Sequence, residues 1–130
     1  MSWRALGAGL VTLGFVLACA GRVEGDLTVD GEKFSAMTCH SGAPQGFTGV
    51  DLVSTDEAKV RVAVQPDGQA QVWYFEPGST VGTDLGVCGT ASVTEQNSEI
   101  NGVKNVMGTA DLSCSGAKTV AGFAAFENCH

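Results

Sequence analysis

The sequence predicts an all-β fold, as a single small β-sandwich or a closed, β-barrel-like domain of about seven to eight antiparallel strands with two disulfides. Two observations support this prediction. From Leu27 onward, Gly, Asp and Asn recur at intervals of about eight to twelve residues, which is the spacing of turns between short strands. After the first eighteen residues, no segment of about ten or more residues keeps the apolar period of a helix.

The strands are predicted in the following order. The segment LTVDGEKF contains a turn at Asp30-Gly31, and FTGVDLVST is predicted to be a strand. The segment KVRVAVQPDGQAQVWYF predicts a hairpin, because its valines alternate with polar or small residues up to a turn at 66–68. The segments GTASVTEQ, KNVMGTADL and TVAGFAAFEN are predicted to form the remaining strands.

One hairpin can be placed in register. Asn101-Gly102 is a favoured pair for a two-residue type I′ turn, so Ile100 is expected opposite Val103. Continued along both strands, this register pairs Glu99 with Lys104, Val93 with Ala110, Ala91 with Leu112 and Gly89 with Cys114. It also predicts one apolar face made of Ala91, Val93, Val106, Ala110, Leu112 and Cys114. Since Cys88 is adjacent to Gly89, a Cys88–Cys114 disulfide is within reach.

The chain has five cysteines, Cys19, Cys39, Cys88, Cys114 and Cys129. If the last strand runs back along the preceding strand from a turn near 115–118, Cys129 lies far from Cys114, since ten residues of strand span about 33 Å. Cys39–Cys129 is then the second expected disulfide. If bulges break the long strands, the sequential pairs Cys39–Cys88 and Cys114–Cys129 remain open.

The first eighteen residues have the layout of a secretory signal, with Arg4 ahead of an apolar stretch over 5–18. This stretch is too short to cross a bilayer as a helix, and the tetrapeptide VLAC that ends at Cys19 resembles the bacterial lipobox. We therefore expect cleavage before Cys19 and lipidation of its thiol. The alternative is cleavage after Ala20 by an ordinary signal peptidase. The expected organisation is a lipoprotein signal peptide (1–18), a lipidated tether (19–26) and a β-domain (27–130).

The charge of the chain restricts its partners. Seven basic and fourteen acidic side chains give a net charge of −7 at pH 7. Nucleic acids and anionic membrane surfaces favour clustered Lys and Arg, so we expect no nucleic-acid partner and attachment to the membrane through the lipid anchor alone. Ala20 follows Cys19 at a position where an aspartate resembles an inner-membrane retention signal. Its absence favours the outer membrane.

Candidate catalytic or metal-binding residues are few. His40 and His130 each follow a cysteine of the expected Cys39–Cys129 disulfide, so the imidazoles are expected to lie close together and, with Glu127, to offer a zinc or copper site. The simpler expectation is that both histidines are loop or terminal residues without a metal, and we expect no cofactor. The sequence has no G-x-S-x-G motif, and pairing of the cysteines leaves no thiol nucleophile, so no catalytic residue is predicted. The long loops HSGAPQG and EPGSTVGTDLG are the expected binding surfaces.

The chain resembles two groups of small bacterial lipoproteins. The segments TVDGEKFSAMTC, GTASV and MGTADL and the late cysteine resemble the small mycobacterial lipoprotein antigens. The cysteine and glycine spacing is similar to that of small envelope lipoproteins of gliding and predatory δ-proteobacteria. The resemblance implies a non-enzymatic, lipid-anchored envelope protein that acts by binding or assembly with an envelope protein partner, as part of a surface, adhesion or gliding-motility complex. The alternative is a metal-binding protein or metal-dependent enzyme that uses His40 and His130.

Overall fold

The computed structural model describes residues 21–130 and confirms the predicted all-β class. Its ten strands are β1 (Arg22–Gly25), β2 (Thr28–Val29), β3 (Glu32–Lys33), β4 (Ala36–Ser41), β5 (Gly49–Ser54), β6 (Lys59–Val64), β7 (Gln69–Phe75), β8 (Thr83–Ile100), β9 (Val103–Cys114) and β10 (Val120–Cys129). The predicted signal peptide (1–18) and the predicted lipidation site Cys19 lie outside the described residues. Within residues 21–130, no helix has the length and hydropathy needed to cross a membrane.

The ten strands form one antiparallel sheet that curls on itself. The hydrogen-bonded order is β3-β2-β10-β9-β8-β7-β6-β5-β4, and β1 also pairs with β10. Strand β4, at one end of this order, lies beside β1 and β10. The predicted Cys39–Cys129 disulfide is present and joins β4 to β10, with 4.9 Å between the two Cα atoms. Of the two predicted architectures, the barrel-like one is the better description, with β4 joined to β10 by the disulfide rather than by strand pairing.

Short strands near the N-terminus raise the number of strands above the predicted seven to eight. β1 pairs with β10 from Arg22 opposite Glu127 to Gly25 opposite Ala124. The folded domain therefore extends to Arg22, into the segment expected to be a tether (19–26). Gly25 ends β1 with a φ of 139°, and a Cβ there would collide with the carbonyl oxygen of Phe123, so the close approach of β1 to β10 requires glycine.

The predicted turns are confirmed. Both central residues of the Asp30-Gly31 turn have positive φ, 52° and 82°, and so do those of the Asn101-Gly102 turn, at 53° and 79°. Positive φ at both positions is the signature of the type I′ turn, whose twist matches that of the flanking strands. Strands β6 and β7 form the predicted valine-rich hairpin, with Val62 opposite Val72.

The predicted register of β8 and β9 is right at the turn and wrong beyond it. Ile100 pairs with Val103 and Glu99 with Lys104, as predicted. Between Glu95 and Glu99 the register then shifts. The observed pairs are Val93 with Gly108, Ala91 with Ala110 and Gly89 with Leu112, in place of the predicted Val93–Ala110, Ala91–Leu112 and Gly89–Cys114 pairs.

Interactions of β8 with β10 accompany this shift. Gln96, in the shifted segment, accepts a hydrogen bond from the backbone N–H of Asn128 at 2.8 Å and donates to the side-chain oxygen of Asn128 at 3.2 Å. The looped-out part of β8 is thereby fixed to the end of β10. Because the offset is two residues, every side chain stays on its predicted face.

The predicted apolar face belongs to a single hydrophobic core. Val106, Ala110, Leu112 and Cys114 are buried, while Ala91 and Val93 are partly buried and pack against the core. From the other half of the sheet the core receives Cys39, Val50, Leu52, Val60, Val62, Val72 and Tyr74. The predicted Cys88–Cys114 disulfide is also present, with 5.0 Å between the Cα atoms, so the sequential pairing left open by the sequence does not occur.

Candidate functional site

The two loops predicted to be binding surfaces contact the same outer face of the sheet, over β4–β7. Gly42, in the first loop, lies directly against the ring of Phe47. Gly82, in the second loop, packs on the ring of Phe75, where an added Cβ would lie 2.6 Å from the ring. The glycines let the loop backbones approach the aromatic rings, and the rings are thereby held over the outer face.

Polar and aromatic side chains form a row across this face. Register pairs join His40 of β4 to Asp51, Asp51 to Arg61, Arg61 to Trp73, and Trp73 to Asp84 of β8. The neighbours of these residues along each strand, such as Leu52, Val60 and Val72, are buried in the core. Strand alternation therefore places the row on the side of the sheet away from the core.

The centre of the row is a buried ion pair. Asp51 is only 3% exposed. Arg61 binds its carboxylate in a bidentate manner, with Nε 2.8 Å from Oδ1 and Nη2 3.0 Å from Oδ2. The ammonium of Lys59 lies 3.7 Å from the same Oδ2. A buried carboxylate is tolerated only when it is paired and hydrogen-bonded, and the two cations meet that requirement here.

Aromatic rings cover the cations of this ion pair. The guanidinium of Arg61 is 4.8 Å from the centre of the Phe47 ring and 5.1 Å from that of Phe75. The ammonium of Lys59 lies 4.2 Å from the centre of Phe75. All three distances are in the range of cation–π attraction. The loops that position the two rings therefore also shield the ion pair from water.

A groove of about 300 Å³ opens beside the ion pair. His40, Gln45, Glu57, Lys59 and Ser79 line it, so it draws residues from both predicted binding loops and from the β5–β6 turn. The side-chain amide of Gln45 also accepts a hydrogen bond from Arg61, which links the first loop to the buried pair. Most of the side chains that line the groove are polar, and the groove lies between the two predicted binding loops.

The structure brings the two histidines together, as predicted, and one nitrogen of each ring contacts a backbone carbonyl. Nδ1 of His40 lies 3.3 Å from the backbone oxygen of His130, and Nε2 of His130 lies 3.0 Å from the backbone oxygen of Ile100. A ring nitrogen that contacts a carbonyl oxygen acts as the donor, so Nε2 of His40 and Nδ1 of His130 are the nitrogens that carry the lone pairs. Glu127 forms an ion pair with Arg22. In the described part of the chain, no group of three or more His, Cys, Asp or Glu side chains is placed to hold a metal.

A second polar region, not anticipated from the sequence, lies at the opposite end of the sheet from the Cys39–Cys129 disulfide. The ammonium of Lys118 is 3.2 Å from a carboxylate oxygen of Asp30 and 3.2 Å from one of Glu76. Asp30 also accepts the backbone N–H of Thr119 at 2.9 Å. The hydrogen bond from Thr119, with that from Lys118, holds the pKa of Asp30 below its ordinary value, and Asp30 and Glu76 raise the pKa of Lys118.

Two further titratable groups belong to this region. The hydroxyl of Ser54 and the backbone N–H of Ala58 both donate to Asp56, and these hydrogen bonds lower the pKa of its carboxyl group. Burial, followed by the charge of Glu76, raises the pKa of Tyr74 above its ordinary value. Asp30, Asp56, Tyr74 and Lys118 line one cavity of about 350 Å³, which we call the distal pocket.

The buried ion pair had a signal in the sequence that single-strand reasoning missed. GVDLVS and KVRVAV each carry one charged residue at the outward position between two apolar ones, Asp51 and Arg61. Placing the two strands in register across the turn STDEA would have put these opposite charges side by side. The distal pocket had no comparable signal, because its residues come from turns far apart in the chain.

Comparisons with protein-family models, with curated proteins and with solved structures find no match to this chain.

Proposed function

We propose that the chain is a lipid-anchored, non-enzymatic protein of the bacterial cell envelope, which binds a protein partner through the outer face of β4–β7. One observation carries this proposal. The loops 40–46 and 76–86 lie on the same face, enclose the Asp51–Arg61 ion pair between Phe47 and Phe75, and leave an open polar groove beside it. Binding residues are often carried on loops that a sheet positions, and the rims of protein interfaces are polar.

The position of the predicted anchor fits this role. Cys19 precedes Arg22 by three residues, and Arg22 is already paired in the sheet. Three extended residues span at most about 11 Å. A lipid on Cys19 would therefore hold the domain close to the outer membrane, with the end that carries the Cys39–Cys129 disulfide nearest to the anchor.

Binding without turnover agrees with the chemistry available. Within residues 21–130 all four cysteines are in disulfides, so they supply no thiolate nucleophile. The histidines contact backbone carbonyls. Zinc or copper that stays bound to the purified protein, and is lost in a His40→Ala variant, would contradict the proposal and favour the alternative of a metal-dependent activity.

The anchor is tested by mass spectrometry of the N-terminus of the protein from its native membranes. We expect loss of residues 1–18 and an acylated Cys19, and we expect a Cys19→Ala variant to leave the membrane fraction. A mature protein that begins at Gly21 without lipid would contradict the anchor.

The binding face is tested with a matched pair of surface variants. Ser79 lies in the groove and Thr109 on the outer face of β9, and both are exposed residues with a hydroxyl group. Ser79→Arg should lower recovery of the cross-linked envelope partner by about tenfold, while Thr109→Arg should leave it unchanged. Equal recovery with both variants would contradict the assignment of this face.

A further inference from the structure

The distal pocket is assembled from four separate turns or strand ends. The β2–β3 turn supplies Asp30, the β5–β6 turn supplies Asp56, and the β9–β10 turn supplies Lys118, while Tyr74 is the last residue but one of β7. Its volume is about 350 Å³. None of these residues belongs to the outer face of β4–β7, so the pocket is a separate feature from the proposed partner surface.

Part of this region already holds an ammonium group of the chain itself. Lys118 places its Nζ 3.2 Å from both Asp30 and Glu76 and 5.4 Å from the centre of the Tyr74 ring. Two carboxylates and an aromatic ring around one cation are a recognised environment for ammonium binding. The surroundings of Lys118 therefore show which chemistry this end of the sheet accommodates.

The pocket has recognition groups that Lys118 does not use. Tyr74 is only 8% exposed, yet within residues 21–130 its hydroxyl makes no hydrogen bond, although the side chain lines the pocket. Asp56 uses one oxygen, Oδ1, for both of its internal hydrogen bonds, which leaves Oδ2 for another donor. Glu32 adds a further carboxylate to the lining. The Tyr74 side chain lines the pocket, so its hydroxyl is available to a hydrogen-bond donor that enters there, whether water or a ligand.

The balance of charge identifies the ligand chemistry. Asp30, Glu32 and Asp56 line the pocket with Lys33 and Lys118, and Glu76 forms an ion pair with Lys118, so carboxylates outnumber ammonium groups. A ligand with N–H donors and a positive charge would satisfy the free oxygens and offset the excess negative charge.

We propose that the distal pocket binds a small ligand through a primary ammonium group, with Asp56 and Glu32 as the charged partners and the hydroxyl of Tyr74 as a hydrogen-bond acceptor. Lys118 is an internal competitor for the same anionic region. The ligand is recognised by its charged amine, and the pocket has room for an aliphatic chain of a few carbons against Val29, Phe34 and Ala58.

The test is a titration of the purified protein with 1,4-diaminobutane, followed by backbone amide NMR shifts. An equal titration with 1,4-butanediol, which has the same length and no charge, is the control. We expect saturable shifts for the diamine at residues around Asp30, Asp56 and Tyr74, and none for the diol. A second titration uses Nα-acetyl-lysine amide. If it binds more tightly than the diamine, the natural ligand is a lysine side chain of a protein. If it binds more weakly, the natural ligand is a free amine.

Three variants are expected to change the affinity for the diamine in opposite directions. Lys118→Met removes the competing ammonium, so diamine binding should tighten by about fivefold or more. Tyr74→Phe removes only the hydroxyl and should weaken binding by roughly threefold to tenfold, the effect of one lost hydrogen bond. Asp56→Asn should weaken it further.

Each variant is checked for an unchanged pattern of amide shifts outside the pocket, so that loss of binding is not confused with loss of folding. Equal responses to the diamine and the diol, or diamine binding that Lys118→Met and Asp56→Asn leave unchanged, would overturn the proposal. Acylation of Cys19 and the Ser79→Arg result bear only on the proposed function, so the two ideas can fail separately.

Discussion

The two halves of the sheet, β4–β7 and β8–β10, differ in what covers their outer faces. In β4–β7, the loops cover the outer face, and nearly every residue of β5 is buried, including the charged Asp51. In β8–β10, the strands are longer, bulges interrupt their register, and the outer face carries exposed apolar residues such as Met107 and Phe123. The outer face of β4–β7 is covered by loops, whereas the outer face of β8–β10 is exposed to solvent. We call these two parts the covered half and the exposed half.

This difference determines where polar groups can be buried. Asp51 is held by Arg61 and covered by Phe47 and Phe75, so in the covered half a charge lies beneath protein rather than water. In the exposed half the charged residues of the outer face remain in contact with solvent. Buried charge therefore occurs where two loops supply a second layer, and the same layer builds the proposed binding surface.

The free edge of the exposed half is protected in a different way. Beyond Thr90, which is opposite Gln69, β8 has no strand partner on the β7 side within the described residues. The edge carries Glu95 and then the register shift that ends at Glu99. Charges and bulges are common devices that prevent an edge from pairing with another chain. The edge strand of the covered half, β4, has a register shift between Ala36 and Thr38 and is also bound to β10 by a disulfide.

The largest expected effect comes from removing that disulfide. Cys39–Cys129 closes a loop of 90 residues and joins the two halves, while Cys88–Cys114 closes 26 residues within the exposed half. The chain-entropy treatment gives losses of about 4.6 and about 3.5 kcal/mol for replacing each pair by alanine. Urea denaturation should therefore rank Cys39→Ala/Cys129→Ala as the less stable double variant. The reverse order would mean that the disulfide between the two halves contributes little to the free energy of unfolding.

A slightly smaller effect is expected inside the covered half. Arg61→Leu leaves Asp51 buried without its bidentate partner, and breaking a buried pair in this way costs about 3–5 kcal/mol. Lys59→Leu is the matched control: its ammonium is 3.7 Å from the carboxylate, and the Arg61 contact remains, so about 1 kcal/mol is expected. Thermal unfolding of both variants checks this. Equal losses would show that Arg61 is not the principal partner of Asp51.

The halves also differ in how well the sequence predicts them. Local signals were sufficient for the hairpins, because the Asn101-Gly102 and Asp30-Gly31 pairs specify their turns and the valines of β6 specify a face. The shift within β8 was not predictable from the same pattern. Side chains alternate with a period of two, so an offset of two residues leaves the apolar face unchanged and the sequence pattern cannot detect it.

Other features depend on pairings between distant parts of the chain. β1 is a short strand that pairs with β10, about one hundred residues away in the chain, so no local pattern marks it. The disulfides were predicted because the final strand direction excludes Cys114–Cys129, and this direction survives the register error. The proposed binding face was predicted only as two loops, since the ion pair between them requires the register of β5 with β6.

A smaller effect is expected at the tip of the exposed half. Asn101 has a φ of 53°, a left-handed conformation that Asn and Gly adopt more readily than other residues. Asn101→Ala should lower the free energy of unfolding by about 1 kcal/mol, while Asn101→Gly should leave it nearly unchanged. Urea denaturation of the two variants measures the difference. Equal stability of both would show that the turn does not restrain the hairpin tip.

The smallest expected effect is a decrease of stability at acidic pH, to which Asp56 and Asp30 both contribute. Asp56 lies in the β5–β6 turn of the covered half, while Asp30 is bonded to Thr119 and Lys118 beside β10. Both carboxyl groups have pKa values lowered from 3.8, so the folded state binds fewer protons than the unfolded state. Their stabilising contribution is present above about pH 4 and is lost as the pH falls through the lowered folded pKa values.

Asp30→Asn and Asp56→Asn should each reduce stability at pH 7 and flatten its decline below about pH 4, because the replaced group no longer takes up a proton on unfolding. The two side chains share no hydrogen-bond partner but line the same pocket, so the double variant measures the coupling between them. Thermal unfolding from pH 7 to pH 2.5 measures both slopes. A single variant that abolishes the whole acid dependence would mean that one half alone determines it, and an unchanged slope in both variants would contradict the lowered pKa values.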